Sequence, residues 1–181
     1  TAINDSGDSA AKSSGSSGDD PTIKPNTGTL ALVYGKQVLD QFSNCIGSGI
    51  PTDRALQMYE EKKGTISETG YASTVTAPML MAVTSIAAEI CVDLIEQEKQ
   101  AARIFIGYDW SSNMLPSDSS MQDAVRRIAR SCWSRDEDPE EADIIIGNIK
   151  ASYPAATANQ SQESALFMCT SMLSALDAIV L

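Results

Sequence analysis

Histidine is absent from the chain, and this absence removes most catalytic templates at once. Ser-His-Asp triads, Cys-His dyads and haem attachment through Cys-x-x-Cys-His all need an imidazole. The Gly-rich signatures of nucleotide binding are missing as well. An enzyme would have to use a carboxylate pair, an activated lysine, or a Ser-Lys or Tyr-based site, and no motif supports any of these. The sequence therefore favours a non-catalytic protein without a cofactor.

Closely spaced cysteines are also absent, because the four cysteines lie far apart at Cys45, Cys91, Cys132 and Cys169. Each falls on the apolar stripe of a different predicted helix, so a zinc site would need four helices to converge, and we expect no metal. An even number of core cysteines favours disulfides in an oxidising compartment over buried free thiols. Pairing Cys45 with Cys91 and Cys132 with Cys169 joins sequence neighbours and is the simplest of the three pairings, although the sequence does not choose among them.

Basic residues are few, since 13 lysines and arginines face 24 acidic residues and give a net charge of -11. This charge repels phosphate backbones and anionic membrane surfaces, so we expect no nucleic-acid partner. The acidic run 136–143 lacks the ligand spacing and the turn glycine of an EF-hand, and a solvated helix start is the better interpretation. We expect the acidic run to pair with the nearby basic cluster of Arg126, Arg127, Arg130 and Arg135.

Large apolar residues are nearly missing from residues 1–28, where only Ile3 and Ile23 interrupt a Ser, Gly and Asp-rich composition. Such a segment cannot bury enough surface to offset the entropy of ordering it, so we predict a disordered tether. No charged-then-apolar leader precedes it, which suggests a processed product with a lipid anchor upstream. Together with the cysteines, the tether indicates a periplasmic, envelope-tethered or extracellular location.

Residues 29–181 have the helical apolar spacing of one all-α domain, and 43% apolar residues in the chain suffice for its core. We predict a bundle of five to six helices, with a loop or small hairpin around Val75. The predicted helices are 30–46, 52–63, 78–107, 119–133, 138–152 and one from about 159 to the end.

Local signals place several of these helix ends. Thr29 is a candidate cap for the first helix, Pro78 suits the first turn of the third, and Ser119-x-x-Gln122 resembles a capping box. Asp138 followed by Pro139 is a specific start signal for the fifth. The last helix is apolar on nearly all sides but too short and too interrupted for a membrane span, which predicts a central core helix.

One loop between predicted helices combines exposed-type aromatic and apolar side chains, which are typical of binding surfaces. The alternative is that its aromatics fold back onto the core. The candidate partner-binding residues are Tyr108, Asp109, Trp110, Met114 and Leu115.

These observations predict a non-catalytic protein-binding module of the cell envelope or extracellular space, tethered by its amino-terminal segment. The helical body would present the loop or a groove between helices to a protein partner, while the tether sets its reach. A structural, oligomeric subunit of an envelope or filament assembly is the first alternative. A carboxylate-dependent hydrolase is the second.

Overall fold

The computed structural model describes residues 30–31, 35–66, 71–72 and 75–175. Most of this part is helical, which confirms the predicted all-α class, and a π-helical turn at Ala129–Trp133 extends the fourth helix. The predicted tether at 1–28 lies outside the described residues. Six α-helices are described: α1 (Gln37–Cys45), α2 (Asp53–Lys62), α3 (Ala77–Glu98), α4 (Asp118–Ile128), α5 (Pro139–Ser152) and α6 (Gln160–Leu173).

Four of the described helices begin where short polar side chains cap them: α2, α3, α5 and, as described below, α4. The Thr52 hydroxyl accepts the N–H of Ala55 at the start of α2, and the Thr76 hydroxyl accepts that of Met79 at the start of α3. Asp138 caps α5, as the sequence predicts, and its pairing with Glu141 completes a capping box. These caps satisfy amide groups that would otherwise lack a partner in the first turn.

The first helix is shorter than predicted. It begins at Gln37, whereas Leu30–Ala31 forms a two-residue strand, β1, that pairs antiparallel with β2 (Tyr71–Ala72). Gly35 has a φ of +50°, a left-handed conformation that ends any helix arriving from the amino-terminal side. The predicted cap Thr29 lies outside the described residues.

Two further helix ends also differ from the prediction. Helix α4 is capped by Ser117, whose hydroxyl accepts the N–H of Ser120, and not by Ser119. Four neighbouring positions, 117–120, offer similar local signals, so the packing of the helix decides which one caps. Helix α6 ends at Leu173 and does not continue through the remaining described residues, and 176–181 lie outside them.

The largest difference is at the end of α3, which stops at Glu98 and does not continue to Gly107. Glu98 carries a charge, yet the residue is only 1% exposed. Its Oε2 accepts the backbone N–H groups of Arg103, Ile104 and Phe105 at 2.8, 3.0 and 3.0 Å. One carboxylate thus replaces the helical carbonyl partners of three amides and turns the chain back over the core.

The four cysteines form two disulfide bonds, as expected, but with a different pairing. Cys91 of α3 bonds to Cys169 of α6, and Cys45 at the end of α1 bonds to Cys132 in the π-helical turn. The predicted pairing of sequence neighbours is wrong because the elements that carry the cysteines pack out of chain order: α3 packs against α6 and α1 packs against the π-helical turn. The two bonds are compatible with an oxidising extracellular or periplasmic compartment.

Candidate functional site

An open groove of about 430 Å³ lies between α3 and α6 in the described part of the chain. Thr84 and Ala88 of α3 form one wall, and the outward side of α6 forms the other. Tyr153, which directly follows α5, closes part of the rim. The complete lining is Thr84, Ala88, Tyr153, Glu163, Leu166, Phe167, Thr170, Ser171 and Ser174.

The groove exists because α3 is apolar on both sides. Its inner side packs in the core, while its outer side carries an uncharged stripe at steps of three and four. Met81 on this stripe is 71% exposed, and Phe167 on the neighbouring α6 is 37% exposed. The outer stripe consists of Ala77, Met81, Thr84 and Ala88.

Most of the exposed groove surface is apolar, although six of its nine lining side chains carry a polar group. Glu163 is exposed in the first turn of α6 and has no ion-pair partner among the described residues. Partial burial and the charge of Glu163 raise the pKa of the Tyr153 phenol, which places the two side chains near each other. The Thr170 hydroxyl is buried in the wall without a hydrogen-bond partner in the described part of the chain. The groove therefore offers a mostly apolar surface with one carboxylate, Glu163, that has no ion-pair partner in the described part of the chain.

The aromatic side chains of the predicted binding loop fold back onto the core. Tyr108 is buried, lies 5.0 Å from Phe105 and 5.7 Å from Trp110 between ring centroids, and directs its hydroxyl to Met168 Sδ. Burial raises the pKa of the Tyr108 phenol. Trp110 is also only partly exposed and packs against the core. Both aromatic side chains therefore fold back onto the core, which is the alternative interpretation of the loop.

The other three loop residues are divided between surface and core. Asp109 is exposed, and hydrogen bonds from the Ser111 hydroxyl and N–H lower the pKa of its carboxyl group. Met114 is 68% exposed, whereas Leu115 packs against the core. The structure does not gather the five predicted binding residues into one exposed patch.

The basic cluster pairs largely with the acidic run, as expected. Arg126 contacts Glu137, and Arg130 contacts Asp136. Arg135 forms a bidentate ion pair with Glu141, in which its two terminal guanidinium nitrogens lie 2.7 and 2.8 Å from the two carboxylate oxygens. Arg127 instead donates to the carbonyl of Ile104. The cluster is thus engaged within the fold.

The paired Glu141 makes stability depend on pH. Hydrogen bonds from Arg135, and then from the Asp138 N–H, lower the pKa of Glu141 to about 2. The unfolded value is about 4.3, so this stabilisation is present above that pH and is lost as the pH falls towards 2. The wild-type protein should lose unfolding free energy as the pH falls from about 5 to about 2. We expect Glu141→Gln to lose less over this range, and the difference should be under about 1 kcal/mol because the pair is solvated.

Urea titrations at a series of pH values measure this effect. Glu140→Gln is the matched control, since it removes a charge from the same first turn without touching Arg135. If the wild-type chain and both variants lose stability with the same pH slope, the Arg135–Glu141 pair has no such role.

Other site types find little support in the described residues. No group of three or more cysteine, aspartate or glutamate side chains there is placed to hold a metal ion. The groove carries one carboxylate, Glu163, whereas a carboxylate-dependent hydrolase needs two. One helix in the described part, α3, is long and apolar enough to cross a membrane, and 50% of its most apolar window is buried in this fold.

The groove residues were not singled out from the sequence. A usable signal was present, because an outward helical stripe without charge is unusual in a chain with a net charge of -11. Recognising it requires knowing which side of α3 faces the core. The sequence does not reveal the core-facing side when both sides of the helix are apolar.

The fold and the groove define a class of protein: a helical domain with two internal disulfides and an open apolar groove between its two most extensively packed helices. Comparison with protein-family models, with curated proteins and with solved structures finds no match.

Proposed function

We propose that this chain is a non-catalytic protein-binding module of the cell envelope or extracellular space, and that the α3–α6 groove is its binding surface. The observation that carries the proposal is the uncharged outer stripe of α3 beside exposed Phe167. Contiguous apolar surface rimmed by polar residues is typical of protein interaction sites in soluble domains.

The chemistry of the groove indicates the chemistry of the partner. Leu166 and Phe167 would take an apolar anchor, and Glu163 at the rim would pair with a lysine or arginine. The net charge of -11 would also steer a cationic partner towards the domain. We therefore expect the partner to present an apolar side chain next to a basic one.

The disulfides support a rigid surface in an oxidising compartment. The Cys91–Cys169 bond joins the two helices that form the groove walls, so it limits their relative movement. A surface that is already ordered loses less entropy when a partner binds. The tether predicted for residues 1–28 would raise the effective concentration of the domain near a partner held at the same surface.

Photo-cross-linking in the native cells tests this proposal. We would make two variants, with benzoylphenylalanine at Phe167 in one and at Met81 in the other, and expect a discrete heavier adduct from each. Ile144 on α5 is the matched control, because it is 57% exposed and apolar but does not line the groove. Adducts at no groove position, or equal adducts at Ile144, would contradict the proposal.

The partner found in the adduct is then purified and titrated. Phe167→Asp should weaken its binding about 30-fold or more, as expected for an aromatic anchor worth about 2 kcal/mol. Ile144→Asp should leave the affinity unchanged. Met114→Asp tests the loop surface, and a large effect there with none at Phe167 would move the binding site to the loop.

The structural-subunit alternative draws on the same observation. An uncharged face allows two copies of a strongly acidic chain to approach each other, since their charges stay outside the contact. An adduct whose mass is twice that of the chain, together with mass-dependent light scattering, would favour this alternative over a binding module.

A further inference from the structure

We propose that residues 21–25 of the same chain occupy the α3–α6 groove until a partner displaces them. The inference rests on the proposed function, because it assigns a regulator to that binding surface. The segment reads Pro21-Thr22-Ile23-Lys24-Pro25. It would act as an internal competitor that keeps the apolar groove covered in the unbound protein.

The chemical match lies in two adjacent side chains. Ile23 is one of two large apolar residues in the first 28, and Lys24 follows it directly. The groove offers Leu166 and Phe167 to the apolar side chain and the unpaired Glu163 to the cation. Residues 21–25 thus carry an apolar side chain next to a basic one, which is the pattern that we expect of a groove partner.

The flanking prolines reduce the entropy that docking would cost. Pro21 fixes its own φ, and Pro25 restricts Lys24 to extended conformations. Extended proline-flanked segments bind aromatic-lined grooves because little backbone freedom remains to be lost. Tyr153 and Phe167 supply aromatic rings to this groove.

The chain length between Ile23 and β1 sets how far the segment extends. Seven Cα–Cα steps (30 − 23) connect Ile23 to Leu30, so the reach is up to about 25 Å. β1 pairs with β2, which shortly precedes α3 in the chain. Thr84, the first groove residue along α3, lies about 10 Å from Ala77, the first residue of the helix.

Nile red, a neutral apolar dye that the net charge does not repel, reports whether the groove is covered. In the full chain, Ile23→Asp and Lys24→Glu should each tighten dye binding about three- to ten-fold, since a tethered competitor acts at roughly millimolar effective concentration. Ile3→Asp and Lys12→Glu are matched controls in the same segment. Equal effects from the controls, or none from Ile23→Asp, would overturn the proposal.

A charge exchange tests the predicted pair directly. Lys24→Glu should release the groove, and adding Glu163→Lys should cover it again and return the dye affinity to the wild-type value. Circular dichroism and thermal unfolding confirm that each variant keeps the fold. If the double variant binds dye as tightly as Lys24→Glu alone, Lys24 does not pair with Glu163 and the proposed docking is wrong.

Cross-linking separates failure of this inference from failure of the proposed function. Benzoylphenylalanine at position 23 should give an adduct within one chain to a groove residue, and at position 3 it should not. No adduct from position 23, while the Phe167 probe still captures an external partner, rejects the internal competitor and leaves the binding function standing. Capture by neither probe rejects both, and an adduct from position 23 to a second copy rejects docking within the chain.

Discussion

Replacing Glu98 by alanine is expected to destabilise the protein by about 3–5 kcal/mol, because three amides, two buried and one partly buried, lose a charged acceptor together. The N–H groups of Arg103, Ile104 and Phe105 all bond to one carboxylate oxygen of Glu98. Phe105 is fully buried and carries the aromatic cluster after α3, so the loss of this turn also loosens the core. Urea unfolding followed by circular dichroism measures the change.

Two variants make this test specific. Glu98→Gln keeps an oxygen acceptor in the same place and should cost less than Glu98→Ala. Glu96→Ala removes an exposed carboxylate two residues earlier, whose pair with Lys99 lies on the surface, and should change the unfolding free energy by at most about 0.5 kcal/mol. Equal effects of Glu98→Ala and Glu96→Ala would show that the buried carboxylate does not organise the turn.

Removing the core disulfide is the second change with a large expected effect. The double variant Cys91→Ala with Cys169→Ala should lose about 2–5 kcal/mol of unfolding free energy. Both cysteines are fully buried, and the bond closes a long loop with a sequence separation of 78 residues. The matched double variant at Cys45 and Cys132 opens a loop of similar separation, 87 residues, near the surface. We expect the core variant to be the less stable, because it also leaves a cavity between α3 and α6.

Stepwise reduction of the native protein provides an independent measurement. Cys132 is 8% exposed and Cys45 is partly exposed, so a mild reductant should open this bond first. Alkylation and peptide mapping should then find two modified cysteines, Cys45 and Cys132, while Cys91 and Cys169 react only when the protein unfolds. Simultaneous release of all four thiols under native conditions would contradict this order.

Much of the helical structure could be predicted because its signals are local. The Asp138–Pro139 start of α5 depends on a side-chain cap and a fixed φ within a few residues, and both signals act in the same way in any fold. The prediction failed where equivalent local signals competed. Neighbouring serines at Ser117 and Ser119 offered similar caps, and the strand at Leu30–Ala31 carried helix-like apolar spacing.

The candidate site was harder to predict than the helices. The loop at 108–115 looked like a binding surface because it combines aromatic and apolar side chains between two predicted helices, yet Tyr108 packs against Phe105 and Met168. The groove was overlooked because its residues look like ordinary core positions in the sequence. Whether Phe167 faces the core or the solvent depends on where α6 lies against α3.

The sequence by itself determined the all-α class, most helix starts and the presence of four core cysteines, since these follow from spacing and chemistry within a few residues. Only the tertiary structure decided the disulfide pairing, the burial of Glu98 and the groove between α3 and α6. Each of these brings together groups that are distant in the chain, or chooses between two sides of one helix. That choice is made by the packing of the whole domain, because burial and pairing energies depend on neighbours that no local pattern specifies.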